Sequence, residues 1–391
     1  VTNAVQGIAI LGATGSIGKS ALAVVDQHPD RFRVVALSAY RAGNALAGLA
    51  RRYRPALAVL AGDDDAAPEG GVCAGTAWRT GREALLEAAT HPDVDIVLNA
   101  LVGAAGLEPT LAALAAGKRV ALANKESLVC GGALVLEAAQ RGGGELLPVD
   151  SEHAAIFQCL AGESRAAVER LVLTASGGPF REWPAERIGE ATPADALRHP
   201  TWAMGAKITI DSATLANKAL EVIEAHHLFG VSYERIDVVV HPQSIVHSMV
   251  EFVDGSVLAQ LGFPTMELPI LQALAWPERL AYSCRRFDPV AAGALTFEAV
   301  RAECFPAFSL GVGAGRAGGV MPAVFNAANE VAVAAFLDGR APFGGISEAI
   351  EHALDRAAGE THGAGTLEGV LVADAAARRT TEHFLRSRVL C

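Results

Sequence analysis

Asp150 and Glu152 stand two residues apart directly after Leu146, Leu147 and Val149, an apolar run that reads as a short buried strand. In an extended segment positions i and i+2 point the same way. Both carboxylates can then serve one hard cation, Mg²⁺ or Mn²⁺, whose oxygen preference they match; a solvated turn is the plainer reading of such a pair. A second set lies far along the chain in Ser212-Ala-Thr-Leu-Ala-Asn-Lys-Ala-Leu-Glu221. A helix starting near Ser212, a good N-cap, puts Asn217, Lys218 and Glu221 on one surface at spacings of three and four. Amide, ammonium and carboxylate together can hold a phosphate at one end and a cation at the other, although Lys218 and Glu221 alone would also make an exposed ion pair. Glu224-Ala-His-His227 matches the E-x-x-H of di-iron bundles, which need a second such motif; the sequence contains none.

Positioning these groups requires strands and helices, and the first 150 residues alternate between them. The strand Ile8 to Leu11 runs into Gly12-Ala-Thr-Gly-Ser-Ile-Gly18 and then into a helical period from Lys19 to Gln27. Strand, glycine turn and helix in that order form a phosphate cradle, because glycines let the backbone approach a pyrophosphate and the helix start offers unpaired N–H groups. The spacing is G-x-x-G-x-x-G, and Thr14 and Ser16 add hydroxyl donors. A second strand, Arg33 to Leu37, leads to a loop holding Arg41 and no acid. A cation there suits a 2′-phosphate, whereas an acid would accept from a free ribose hydroxyl, so NADPH is favoured over NADH; a solvated loop arginine is the alternative. Three further strands, 96–100, 119–123 and 145–149, end at Val102-Gly-Ala-Ala-Gly106, Asn124-Lys125-Glu126-Ser127 and Asp150. In a parallel sheet those ends line one cleft. Asn124 can cap the helix that follows it. Lys125 sits where the helix dipole disfavours a cation, which points to a buried partner or a substrate. Asp63-Asp-Asp65 reads as an exposed turn.

The 391 residues suit two or three domains: a nucleotide-binding domain over 1–150, a mixed catalytic domain over 151–275, a linker over 276–305 and a helical domain over 306–391. In the second, Leu171 to Ala175 is strand-like and feeds Ser176-Gly-Gly-Pro-Phe-Arg181. A long irregular stretch follows as far as Lys207; it carries His199, Trp202 and Met204 and reads as a lid. Strands at 238–240, 244–252 and 256–261, with a hairpin at Asp254-Gly255, come next, and His241 and His247 read as structural. Helices at 325–337, 347–354 and 374–386 and a Gly-rich turn at 311–319 complete the chain. A net charge of −11 argues against nucleic-acid or anionic-membrane partners. Six cysteines without C-x-x-C or zinc-ligand spacing fit reduced thiols. Without an apolar run of membrane length or a signal-peptide pattern, a cytoplasmic protein is expected.

Gly-Ala-Thr-Gly-Ser-Ile-Gly, Asn-Lys-Glu-Ser, Val-Asp-Ser-Glu-His and Ser-Gly-Gly-Pro-Phe-Arg, in this order, closely resemble the 1-deoxy-D-xylulose 5-phosphate reductoisomerase family over nearly the whole chain. The resemblance implies an α/β architecture, with a Rossmann-like NADPH-binding domain, a mixed α+β catalytic domain with a mobile lid loop, and a C-terminal helical domain. It implies Asp150, Glu152 and Glu221 as metal ligands, and Ser176, Ser212, Asn217 and Lys218 around the substrate phosphate. Ser151, His199, Trp202 and Met204 become further substrate contacts, with Lys125 beside the reacting oxygens; Lys125, Glu152 and His199 are the expected catalytic residues. Thr14, Gly15, Ser16, Ile17, Asn124, Glu126 and Gly205 become cofactor contacts. The Tyr40 to Asn44 loop is longer than the family's, and Arg41 and Asn44 are the expected 2′-phosphate partners. The implied chemistry rearranges a phosphorylated hydroxyketone on a divalent metal and reduces the product with NADPH in non-mevalonate isoprenoid synthesis, in a homodimer. Two competitors share parts of this pattern: an NADP-linked, metal-assisted hydroxyacid dehydrogenase without rearrangement, and a nucleotide-sensing regulator without chemistry.

Overall fold

A computed structural model describes residues 5–62, 73–202, 204–359 and 365–389. The Asp63-Asp-Asp65 turn, Ala203 and Cys391 lie outside the described residues. By their contacts the residues form two units. The first comprises Val1–Ser127, Val135–Ala154 and Thr265–Cys284; the second comprises Leu128–Leu134, Ala155–Pro264 and Arg285–Cys391. Thr265–Cys284, expected at the end of the catalytic domain and in the linker, thus groups with the first unit.

The first unit is built on β1 (Gln6–Leu11), β2 (Phe32–Ala39), β3 (Leu57–Leu60), β4 (Ala77–Thr80), β5 (Ile96–Asn99), β6 (Arg119–Leu122) and β7 (Glu145–Pro148). Among the described residues these make one sheet in the order β4-β3-β2-β1-β5-β6-β7, parallel at every pairing. Such strands are covered on both faces and so read as continuous apolar runs; Ile8, Ile10, Ile96 and Leu98 are fully buried. The strand order reverses between β1 and β5, where Leu11 lies beside Asn99. Gly12 turns out of β1 at φ 86°, and a Cβ there would lie 2.5 Å from the Ala100 carbonyl oxygen. Only glycine makes this turn without strain. A Cβ at Gly18 would collide with the Gly12 carbonyl, so the third glycine is what lets the Ser16–Gln27 helix seat on the turn.

The second unit holds β8 (Val168–Ala175), β9 (Ile236–Val240), β10 (Val246–Phe252), β11 (Val257–Leu261) and β12 (Glu298–Ala299) in the order β11-β10-β8-β9-β12. β8 and β9 are parallel and the other neighbours antiparallel. The β10–β11 hairpin turns at Asp254, whose carboxylate accepts from the Ser256 amide at 2.9 Å. Val222, Ala225 and Phe229 of the Ala216–Phe229 helix pack on Leu171, Leu173 and Val250 of the sheet. Helices Pro306–Ala317, Met321–Leu337, Phe343–Ala357 and Leu367–Val389 complete this unit.

Three expectations change. Ser212 is no N-cap: it lies inside a helix that starts at Ala206 and ends at Thr214. Leu215, at φ 58°, breaks the path before a second helix begins at Ala216. The glycines of 311–319 largely belong to a helix, Pro306–Ala317, because Gly311 and Gly315 make room for Ala219, Phe325, Ile223 and Tyr233 rather than for a turn. The stretch after Ser176 is not loose throughout either. Phe180, Ile188, Ala191 and Ala196 are buried in the helical core, Phe180 lies against Trp183 and Phe343, and Arg301 donates to the carbonyls of Arg181 and Trp183, both at 3.0 Å. Phe180→Ala should therefore lower unfolding stability by about 3–5 kcal/mol, as read by denaturant titration; a loss below about 1 kcal/mol would show that this segment is not fastened to the core.

Candidate functional site

In the first unit the polar groups gather at the carboxyl ends of the strands. Gly15 is the N-cap of the Ser16–Gln27 helix and no side chain caps it. Gly15 and Ser16 are exposed, and Thr14 and Ile17 half-buried, so the helix start is open to an anion. Ser38, unremarked in the sequence, fixes this loop: its buried hydroxyl accepts from the Gly12 amide at 3.0 Å, and its carbonyl accepts from the Ala13 amide at 2.7 Å. Beyond β2, Arg41 lies over the Tyr40 ring at 4.9 Å. Arg41 and Asn44 are both exposed.

Asn124 caps the Lys125–Gly142 helix as its sequence position predicts, its side chain accepting from the Ser127 amide at 3.1 Å. Lys125 has the buried partner that its unfavourable place in the first turn called for. It forms an ion pair with Asp150, and both side chains are about nine-tenths buried. Glu126 is buried and accepts from the Asn124 amide at 3.1 Å. Ser151 and Glu152 open the helix Ser151–Cys159 rather than continuing an extended segment, and the Ser151 hydroxyl donates to Glu152 at 2.5 Å, which orients the second carboxylate.

The second unit gathers the other set. Asn217 and Lys218 lie in the first turn of the Ala216–Phe229 helix, whose N-cap Leu215 offers no side-chain acceptor; the positive end of the helix dipole suits an anion there. Lys218 and Glu221 are buried rather than exposed. The ammonium pairs with the Glu221 carboxylate and donates to the Thr174 carbonyl at 2.6 Å, while Asn217 donates to Glu221 at 2.5 Å. The flanking Ala216, Ala219, Leu220, Val222 and Ile223 bury the pair. Gly178, at φ 67°, brings the loop after β8 so close to this segment that a Cβ would lie 2.7 Å from the Ser212 carbonyl oxygen.

His199 is tied into the same unit. Its Nδ1 accepts from the amides of Thr201 at 3.1 Å and Trp202 at 2.9 Å. Nδ1 therefore carries no proton, and the neutral ring's hydrogen is on Nε2, 3.0 Å from the Ser176 hydroxyl. The Ser176 oxygen accepts from that Nε2–H and from the Gly178 amide at 3.3 Å. Both lone pairs are then engaged and its own hydrogen is left to donate, as an anion requires. Burial pushes the His199 pKa down, which keeps the ring neutral. Trp202 and Met204 are half-buried, and the exposed Gly205 is the N-cap of the Ala206–Thr214 helix. His241 is structural as expected: its Nδ1 lies 2.8 Å from the Thr296 carbonyl and its Nε2 accepts from the Ile245 amide at 3.1 Å. Burial, with His241 nearby, pushes His247 down to about 4.

Family models described as 1-deoxy-D-xylulose 5-phosphate reductoisomerase, and as its C-terminal domains, match residues 8–132, 146–229 and 261–380. The chain belongs to the 1-deoxy-D-xylulose 5-phosphate reductoisomerase family. Reductoisomerases of that name from Ralstonia nicotianae and Symbiobacterium thermophilum are 53% and 56% identical to it; the first alignment covers 98% of this chain and 99% of the relative, the second 90% and 92%. Among solved structures, a reductoisomerase in complex with NADPH, fosmidomycin and magnesium superposes with a TM-score of 0.93 at 41% identity, covering 98% of both chains. The Zymomonas mobilis reductoisomerase in complex with NADPH gives 0.89 at 44% identity, covering 98% of this chain and all of that one. The α/β fold with a parallel sheet and a helical C-terminal region is thereby established for this chain.

The His199 arrangement sets a pH dependence. Its folded pKa lies below the unfolded value of 6.5, so its contribution to stability is complete above that value and is lost as pH falls from there through the folded pKa. NMR titration, with His199→Gln to assign the resonance, should find the Nε2–H tautomer and a pKa below 6.5. An Nδ1–H tautomer, or a pKa at or above 6.5, would remove Ser176 as a pure donor.

Proposed function

We propose that this protein converts 1-deoxy-D-xylulose 5-phosphate to 2-C-methyl-D-erythritol 4-phosphate, using NADPH and a divalent cation, in non-mevalonate isoprenoid biosynthesis. The observation that carries this reading is the buried Lys218–Glu221 pair, braced by the half-buried Asn217, at a helix start. It joins an anion-binding donor set to a hard-cation ligand within one turn, in a chain about half identical to named reductoisomerases.

The residues present fit the groups they would hold. Asp150, Glu152 and Glu221 are an all-carboxylate set suited to Mg²⁺ or Mn²⁺, and each is oriented by a donor, from Lys125, Ser151 or Asn217. The uncapped helix start at Gly15 and the backbone clearance at Gly12 fit a pyrophosphate. When bound, the cation supplies Lewis acidity toward the substrate oxygens and NADPH supplies the hydride. The protein's own part is geometric and electrostatic. Ser176, Ser212, Asn217 and Lys218 bind the phosphate, with Ser176 donating the one hydrogen that His199 leaves it. Ser151 orients Glu152 and also contacts substrate. Lys125, paired with Asp150, would supply the ammonium beside the substrate's reacting oxygens. Thr14, Gly15, Ser16 and Ile17 hold the pyrophosphate, Arg41 and Asn44 the 2′-phosphate, and Glu126 and Gly205 lie along the cofactor.

Because Phe180 to Ala196 is anchored in the core, the closing lid in this reading is confined to about 198–205, with Trp202 and Met204 covering the substrate. A catalytic part ending near 275, a linker to 305 and a helical part beyond remain the proposed functional division of the chain. The homodimer is proposed as well. The edge strand β11 exposes Val257, Leu258 and Leu261, an apolar edge of the kind that a second chain covers. No described helix is long and apolar enough to cross a membrane, and the proposed location is the cytoplasm.

NADPH oxidation followed at 340 nm with the ketose phosphate and Mg²⁺ tests the activity. Turnover should cease with EDTA, and the product should be branched; an unbranched product or cation-independent turnover would sink the proposal. Glu221→Gln should cost at least a thousandfold in kcat while leaving NADPH affinity within twofold, whereas loss of cofactor binding would contradict the separation of roles. Arg41→Ala should raise the KM for NADPH about tenfold, as expected for one charged contact, and leave that for NADH unchanged. Equal effects on both would take Arg41 off the 2′-phosphate.

A further inference from the structure

The segment that follows β5, Leu101 to Gly106, ends in a single 3-10 turn over Gly103–Gly106 and is fixed by side chains from two strand ends. Asn99, fully buried at the end of β5, donates to the Gly106 carbonyl at 2.9 Å and to the Thr110 hydroxyl at 2.8 Å, and its side-chain oxygen accepts from the Leu101 amide at 3.2 Å. From the neighbouring strand end, Asn124 donates to the carbonyls of Leu101 and Gly103, both at 2.9 Å. The Asn124 oxygen is filled by the Ser127 amide at 3.1 Å and the Ser127 hydroxyl at 2.5 Å. Its backbone amide donates to the Asn99 carbonyl at 3.0 Å. With Glu126 sharing the same two side-chain hydrogens at 3.1 Å, the amide group of Asn124 has no hydrogen or lone pair to spare.

This clamped loop holds an apolar side chain out in water: Val102 is 72% exposed. Its backbone neighbour is the phosphate cradle itself. The Ala100 amide donates to the Leu11 carbonyl at 2.9 Å, and Gly12 approaches the Ala100 carbonyl so closely that no Cβ fits. The loop therefore stands at the reversal of strand order, on the side away from β2. With the adenosine ribose at the end of β2, a dinucleotide whose pyrophosphate sits on the glycine loop must carry its other half across β1 toward β5.

We infer that Val102 is a direct apolar contact for the nicotinamide riboside half of NADPH, on a loop that Asn99 and Asn124 hold rigid in advance. The inference rests on the cofactor reading above. In it, Asn124 acts on the cofactor as a positioning residue, through the loop that it ties down. A pre-formed wall costs no ordering when the cofactor arrives, and a rigid apolar contact on one side of the ring leaves the other side for substrate.

Isothermal titration of the full-length protein with NADPH, and with 2′-phospho-ADP-ribose, which lacks the nicotinamide, separates the possibilities. Because Val102 is exposed, Val102→Ser leaves the fold intact. It should weaken NADPH about fivefold and leave 2′-phospho-ADP-ribose unchanged, and Val102→Leu should bind NADPH as the wild type does. Unchanged NADPH affinity in Val102→Ser, or equal weakening of both probes, would overturn the placement of Val102. Wild-type protein that binds neither probe would overturn the cofactor reading and this inference with it.

Discussion

Charge removed from water must be met by a partner at once, and the second unit is arranged around that requirement. Lys218 is 4% exposed and Glu221 1%. Desolvating either alone would cost several kcal/mol, so the two are held together, with the Thr174 carbonyl completing the ammonium and Asn217 bracing the carboxylate. The bond to Thr174 ties the Ala216–Phe229 helix to the end of β8. The same constraint operates in the first unit, where Lys125 and Asp150 meet over the end of β7. Neither pair is the best solution for stability, since apolar residues of similar size would pack as well or better. In the proposed reading their use lies in being exchangeable: an anionic substrate group would take over the ammonium, and a cation the carboxylate, without leaving a charge stranded.

The break at Leu215 serves the same end. A single unbroken helix from Ala206 to Phe229 would space Ser212 and Asn217 along one rod. Turning at a left-handed leucine instead ends one helix near Ser212 and begins another at Ala216. Donors from the end of the first then accompany the uncapped start of the second. Leucine tolerates that conformation poorly, and its side chain is buried, so the core holds the strain in place.

What the sequence made legible was local. Strand, glycine turn and helix follow one another within twenty residues, so the phosphate cradle could be read, and Asn124 could be recognised as a cap because caps act over three residues. What escaped depended on distant partners. The glycines at 311 and 315 mimic a turn until Ala219, Phe325, Ile223 and Tyr233 are brought against them. Ile208-Thr-Ile210 has the β-branched character of a strand, yet it is helical because the burial of Ile210 and Ala213 in the helical core decides the matter. Ser38 and Asn99 carry no motif; their roles come from what their strand ends face.

The seating of Phe180, Ile188 and Ala196 in the helical core has an entropic corollary. Fixing a backbone residue costs about 1–2 kcal/mol, and a thirty-residue flap would consume far more than one phosphate contact returns. With most of that span already immobilised during folding, a ligand that closed the proposed lid would have only the few residues around Trp202 left to order. Most of its binding free energy is then free to align the reacting atoms.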